Sequence, residues 1–202
     1  MNAGSSTNRG TGGYRYRTAD ILLVGAIAAV GGVVSAYVIV PWAKFIEGLL
    51  GPFGAVFDNP FFIFWPIVAA LLICKPGVGV VTSVLTGAVE VLVGSADGSI
   101  VLIVTLLQGL GVELGFLIFR YRATLPAAIA AGAGAGLGAS IALLYVFGFF
   151  QLGTAVQIPF ILALMAGDAI IGGLLAWAIA QGVIRTGVWG GGGAYQRVDR
   201  QS

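Results

Sequence analysis

KPGVGVVTSVLTGAVEVLVGSADGSIVLIVTLLQGLGVELGFLIFRYR, residues 75–122, holds two long apolar runs separated by a Gly-rich turn at residues 94–98. Uninterrupted apolar runs of this kind read as membrane-crossing helices. The segment therefore predicts a hairpin, with one helix over residues 78–93 and the next over 99–119. Three of its side chains are out of place in hydrocarbon: Glu90, Gln108 and Glu113. A carboxylate or amide in lipid is costly unless it is paired or wetted, so each is a candidate functional residue.

Working outward, the whole chain has the same character. Of its 202 residues, 58% are hydrophobic and only 9% charged, and the mean hydropathy is +1.02. Soluble domains do not have this composition, so the chain reads as an all-α, polytopic membrane protein. The formal net charge is +2, but the basic residues sit at the ends of apolar runs, so they report topology and not a nucleic-acid partner.

Six transmembrane helices are expected. The first runs from Thr18 to Pro41, where the proline should stop it. The others cover residues 60–74, 78–93, 99–119, 125–149 and 157–184. Residues 1–17 and 186–202 are polar and Gly-rich and read as disordered cytoplasmic tails flanking a membrane domain over 18–185. A signal peptide is a poorer reading of the start, because the apolar run after Arg17 is too long and no A-x-A cleavage site closes it. Residues 41–59 are broken by Gly and Pro and read as an interfacial flap over the outer face.

Orientation follows from Lys and Arg. With six spans and both termini cytoplasmic, nine of them fall inside (Arg9, Arg15, Arg17, Lys75, Arg120, Arg122, Arg185, Arg197, Arg200), and Lys44 alone falls outside. A multi-pass membrane protein follows from this pattern.

Helix geometry separates the polar residues. Glu90 lies ~6 Å from the outer end of its helix, Gln108 ~14 Å and Glu113 ~21 Å in along theirs, and Asp168 ~16 Å below the start of the last helix. Ser83, Thr86, Gly87, Glu90 and Gly94 share one face, a possible pocket wall. Gln108 and Glu113 stand about 140° apart around the helix, so one lines a pocket while the other braces a neighbour, and Gln108 is the better lining residue. Glu90, Gln108 and Asn59 with stacking from Trp65 and Phe61 suit a flat, polar or cationic heteroaromatic ligand; Glu113 is an additional binding candidate. Ala28, Gly32 and Ala36 recur every four residues and form a stripe for close packing, within the chain or against a partner subunit.

Catalytic readings find no support. The chain has no histidine, one cysteine (Cys74), no G-x-x-x-x-G-K-[ST] phosphate loop and no H-E-x-x-H. Neither a disulfide within the chain nor a His/Cys metal site can be built, and no cofactor motif is present. Cys74 reads as a packing residue. A proton-coupled secondary transporter for a small polar or cationic solute, working through Glu90, Glu113 or Asp168, is the alternative function, but no inverted repeat is visible.

Lys75-Pro76-Gly77, then Val89-Glu90, Gly94, Gly98, and above all QGLGVE at 108–113 with Phe116 and Arg120, resemble the YkoE-type S components of energy-coupling factor (ECF) vitamin transporters. The resemblance covers nearly everything but the two tails. It implies a six-helix, non-enzymatic subunit of a bacterial plasma membrane that binds thiamine or its hydroxymethylpyrimidine precursor near the outer face. It also implies a transmembrane coupling subunit and two cytoplasmic ATPases as partners, with small residues of the first helix meeting the coupling subunit. Relatives often have an acidic residue where this chain has Ser83 and a basic one near Asp168. The second departure leaves Asp168 without a role carried over from the family.

Overall fold

The computed structural model describes residues 16–146 and 148–187, and all regular structure among them is helical. The two tails expected over 1–17 and 186–202 lie almost wholly outside the described residues. Four helical stretches are long and apolar enough to cross a membrane: Thr18–Ile73, Gly98–Ile118, Leu125–Val146 and Thr154–Arg185. Val78–Leu92 is a shorter apolar helix.

Helix α1 (Thr18–Val34) starts where the Arg17 N–H donates to the Asp20 carboxylate at 2.8 Å. An acidic group in the first turn also complements the helix dipole. The helix does not stop at Pro41, as the sequence had suggested. A π turn, Ser35–Ile39, leads directly into α2 (Val40–Leu50), and the Val40 N–H reaches back to the Ser35 carbonyl. The wider turn accommodates the proline ring, which would otherwise press on the carbonyl four residues back. The expected flap over 41–59 is therefore mostly helix. Gly51, at φ 61°, ends α2, a single 3-10 turn (Gly51–Gly54) reverses the chain, and α3 (Ala55–Ile73) begins five residues earlier than expected.

α3 is the buried centre of the fold. Ile63, Ile67, Leu71 and Ile73 are almost completely enclosed, and they join Val112, Phe116, Ala127, Ala131 and Ala176 in one core. At its end Cys74 takes a left-handed conformation and donates to the Leu71 carbonyl. Its thiol is buried, which makes it a packing residue rather than a nucleophile.

α4 (Val78–Leu92) and α5 (Val101–Ile118) form the expected hairpin, and α6 (Leu125–Val146) packs on α5. The AAIAAGAGAGLGAS stretch of α6 is too poor in bulk to face lipid and is mostly buried against other helices, with Ile129 and Leu137 its exposed residues. A Cβ on Gly111 would run into the carbonyl of Gly134, and one on Gly138 into that of Leu107. Such close backbone approach is possible only where at least one of the two residues lacks a side chain. α7 (Thr154–Gly167) continues through a second π turn, Asp168–Gly173, into α8 (Leu174–Arg185).

At the Lys75 end of the bundle the chain is tied down by polar contacts. Lys75 pairs with buried Asp20 at 2.5 Å, and its ammonium lies 5.5 Å from the centre of the Tyr16 ring. The Tyr16 hydroxyl donates to the Pro76 carbonyl.

Candidate substrate-binding cleft

The opposite end of the bundle holds a polar cleft. α2 contributes Lys44 and Glu47, the start of α3 contributes Asp58, Asn59 and Phe62, and the end of α4 contributes Glu90. Asp97 in the turn, Val101, Thr105 and Gln108 on α5, and Leu143 on α6 complete the lining. Two features of the chain bring these residues together. Continuation of α2 past Pro41 carries Lys44 and Glu47 over the site, and the reversal at Gly51–Gly54 returns the first turn of α3 beneath them. Gly54 permits that reversal, because a Cβ there would lie 2.7 Å from the Glu47 Cα.

Lys44 closes the rim by pairing with Asp97 at 2.6 Å, which ties α2 to the α4–α5 turn. Glu90, 2% exposed, accepts a hydrogen bond from the Ser95 hydroxyl at 2.9 Å. Gln108 Nε2 donates to Asn59 Oδ1 at 2.8 Å, and Asn59 Nδ2 donates in turn to Asp168 Oδ2 at 2.5 Å. Asp58 is buried and its Oδ2 has no hydrogen-bond partner in the protein. The lining thus carries four carboxylates, Glu47, Asp58, Glu90 and Asp97, against the single ammonium of Lys44, and that ammonium is already paired. Carboxylates sharing one low-dielectric site favour a positively charged or donor-rich occupant.

Of the residues singled out from sequence, Glu90, Gln108 and Asn59 meet in this cleft. The other three do not. Glu113 lies at the far end of α5, where it accepts from the backbone N–H groups of Gly77 and Gly79 and from the Tyr121 hydroxyl at 2.7 Å. Its position is that of a brace on the first turn of α4. Trp65 faces α1, where its ring packs against Gly31. Phe61 is 37% exposed and meets Trp42 edge-on, with ring centres 5.4 Å apart. The aromatic residue in the lining is Phe62, one position on from Phe61. On α4 the small polar face is largely used for helix packing: the Ser83 hydroxyl donates to the Thr105 carbonyl at 2.7 Å, and the Thr86 hydroxyl donates to the Thr82 carbonyl at 2.8 Å.

The stripe of Ala28, Gly32 and Ala36 is also spent within the chain. All three residues are buried, and a Cβ on Gly32 would sit 2.6 Å from the Val89 Cβ. The expected partner surface on this stripe is therefore withdrawn, since α4 occupies it.

Sequence reasoning missed Asp58, Lys44, Glu47 and Asp97 as lining residues. All four are isolated charges in segments broken by Gly or Pro. Their convergence depends on the helical course of 40–50, which Pro41 obscured.

Known proteins with this arrangement are transporters. Residues 19–138 match the family described as "ABC-type cobalt transport system, permease component". A Bacillus subtilis (strain 168) protein with the provisional name HMP/thiamine permease protein YkoE is 31% identical over 180 residues, covering 87% of this chain and 88% of that one. The crystal structure of an S-component of an ECF transporter superposes with a TM-score of 0.84 at 25% identity, over 93% of this chain and 95% of the other. The chain belongs to the YkoE-type ECF S components. An S component is a transport subunit and not an enzyme. Among the described residues, no three His, Cys, Asp or Glu side chains come together to hold a metal ion.

Proposed function

We propose that this S component binds thiamine or its hydroxymethylpyrimidine precursor and delivers it to an ATP-driven ECF importer of the bacterial plasma membrane. In that assembly the chain crosses the membrane six times with both termini in the cytoplasm. It works with a transmembrane coupling subunit and two cytoplasmic ATPases. The cleft then opens outward, under α2 and the α4–α5 turn.

The observation that carries this reading is the charge of the cleft: four carboxylates face one ammonium that Asp97 already holds. An aminopyrimidine donates hydrogen bonds and a thiazolium carries a positive charge, so both parts of thiamine complement such a lining. Glu90 and Asp58 would meet the cationic or amino groups, Asn59 and Gln108 would supply hydrogen bonds, and Phe62 would meet the ring. The name of the Bacillus relative supports the same ligand class.

Calorimetry on the purified chain tests it, with saturable binding of thiamine or hydroxymethylpyrimidine as the expected result. Glu90→Gln and Asp58→Asn should each weaken binding by about tenfold or more, because truncating one partner of a buried charged contact costs at least ~1.4 kcal/mol. Absence of binding by the unmodified chain rules out the ligand assignment. A proton-coupled carrier is distinguished by uptake into liposomes. Transport by this chain alone under a proton gradient, without ATP, would decide for that mechanism.

A further inference from the structure

Asp168 does not line the cleft, yet it is the most completely buried carboxylate among the described residues and is 0% exposed. It opens the π turn Asp168–Gly173, and two glycines of α6 make room for it. A Cβ on Gly132 would collide with its carbonyl, and one on Gly136 would lie 2.9 Å from its Oδ2. Its Oδ1 has no partner in the protein, while Oδ2 accepts from Asn59. A buried carboxylate with an unsatisfied oxygen costs the fold stability, so its presence calls for a function.

We propose that Asp168 is a positioning residue that fixes the hydrogen-bonding sense of Gln108, so that the cleft offers the acceptor Gln108 Oε1 to a donor group on the ligand. The inference rests on the ligand class proposed above and names which feature of it is read.

Three side chains form the relay. Asn59 Nδ2 donates to Asp168 Oδ2, and an ionised carboxylate facing an amide can only accept, so in that form Asp168 keeps the Nδ2 of Asn59 turned toward it. Its Oδ1 is then directed at Gln108, which must donate through Nε2. That leaves Oε1 as the face of the Gln108 amide toward the cleft it lines. With an amide in place of the carboxylate, both neighbours can turn over, and the relay can run in the opposite sense with Nε2 presented to the ligand. Asp168 thereby selects an amino group over a carbonyl at one position of the ligand from a full side chain's distance away.

The test compares thiamine with its analogue in which the pyrimidine 4-amino group is replaced by an oxo group. Against the unmodified chain the oxo analogue sets acceptor against acceptor, and it should bind about tenfold more weakly or worse. Asp168→Asn should reduce that preference to about threefold or less, chiefly by improving binding of the oxo analogue. The double substitution Asn59→Asp/Asp168→Asn restores a carboxylate acceptor facing Gln108 and should restore the preference, a result that simple structural damage does not give. A preference retained in Asp168→Asn, or absent from the unmodified chain, overturns the proposal. If Asp168→Asn does not fold, the double substitution decides: loss of the preference there overturns it.

A ligand-free measurement separates this proposal from the choice of ligand. In side-chain amide NMR spectra of the empty protein, the Asn59 Nδ2 proton facing Asp168 should resonate downfield of ordinary amides and move upfield in Asp168→Asn. If the unmodified chain binds neither compound but this shift is present, the ligand reading fails and the relay stands. An Asn59 resonance in the ordinary range overturns the relay whatever binds.

Discussion

Glu113 shows how far a single residue can be read from sequence. Depth and helical angle set it apart from Gln108, and the structure gives the two different partners five residues apart on α5, one lining the cleft and one holding the N–H groups of Gly77 and Gly79. A carboxylate at the first turn of a helix satisfies donors that have no partner within the helix and complements its dipole. Glu113→Gln should therefore lower stability by about 1–3 kcal/mol, read from denaturation of the detergent-solubilised protein, with ligand affinity unchanged within about twofold. A loss of affinity without loss of stability would return Glu113 to the binding residues. Asp58 shows the opposite case. Its side chain is in the cleft, but Asp58-Asn59-Pro60 looks like a turn when read alone, and nothing local indicates that the dipeptide is helical.

At the scale of elements, hydropathy located the apolar runs and composition identified which helix is buried against others. The low bulk of α6 implied helix contact on several sides, and the collisions met by Cβ atoms at Gly111, Gly134 and Gly138 are the physical form of that implication. Gly138→Leu should push α6 away from the Leu107 backbone and greatly reduce the yield of folded protein, measured by monodisperse recovery from detergent. Gly182→Leu is the control, since space around Gly182 is open and its recovery should match the unmodified chain apart from a small propensity effect. The two π turns were not legible. A π turn leaves no trace in hydropathy, and Pro41 is a helix breaker in any local reading; only the i−5 bond from Val40 to Ser35 shows how the helix passes it. That one misreading hid both α2 and the charged rim it carries.

For the whole molecule, the arrangement of charge and the arrangement of function are two aspects of the same asymmetry. The Lys75 end is fastened by Asp20, Tyr16 and Glu113, and among the described residues Arg120, Arg122 and Arg185 belong to loops or helix ends on the same side in the proposed six-crossing topology. The Lys44 end carries the cleft, held closed by one ion pair to Asp97. In that proposed topology the basic residues stay on the cytoplasmic side of the membrane, which would direct the cleft outward. Cysteine labelling tests that orientation, because the only native thiol, Cys74, is buried and can be replaced by Ala. In that background Gln151→Cys, in the α6–α7 loop, should react with a membrane-impermeant maleimide in intact cells. Thr124→Cys and Thr186→Cys, in the α5–α6 loop and after α8, should react only once the cells are opened. The reverse pattern inverts the protein and turns the cleft toward the cytoplasm. Labelling of Gln151→Cys and Thr124→Cys from one side removes α6 as a crossing and with it the six-span count, whereas the expected pattern leaves the carboxylate-lined cleft open only to solutes arriving from outside.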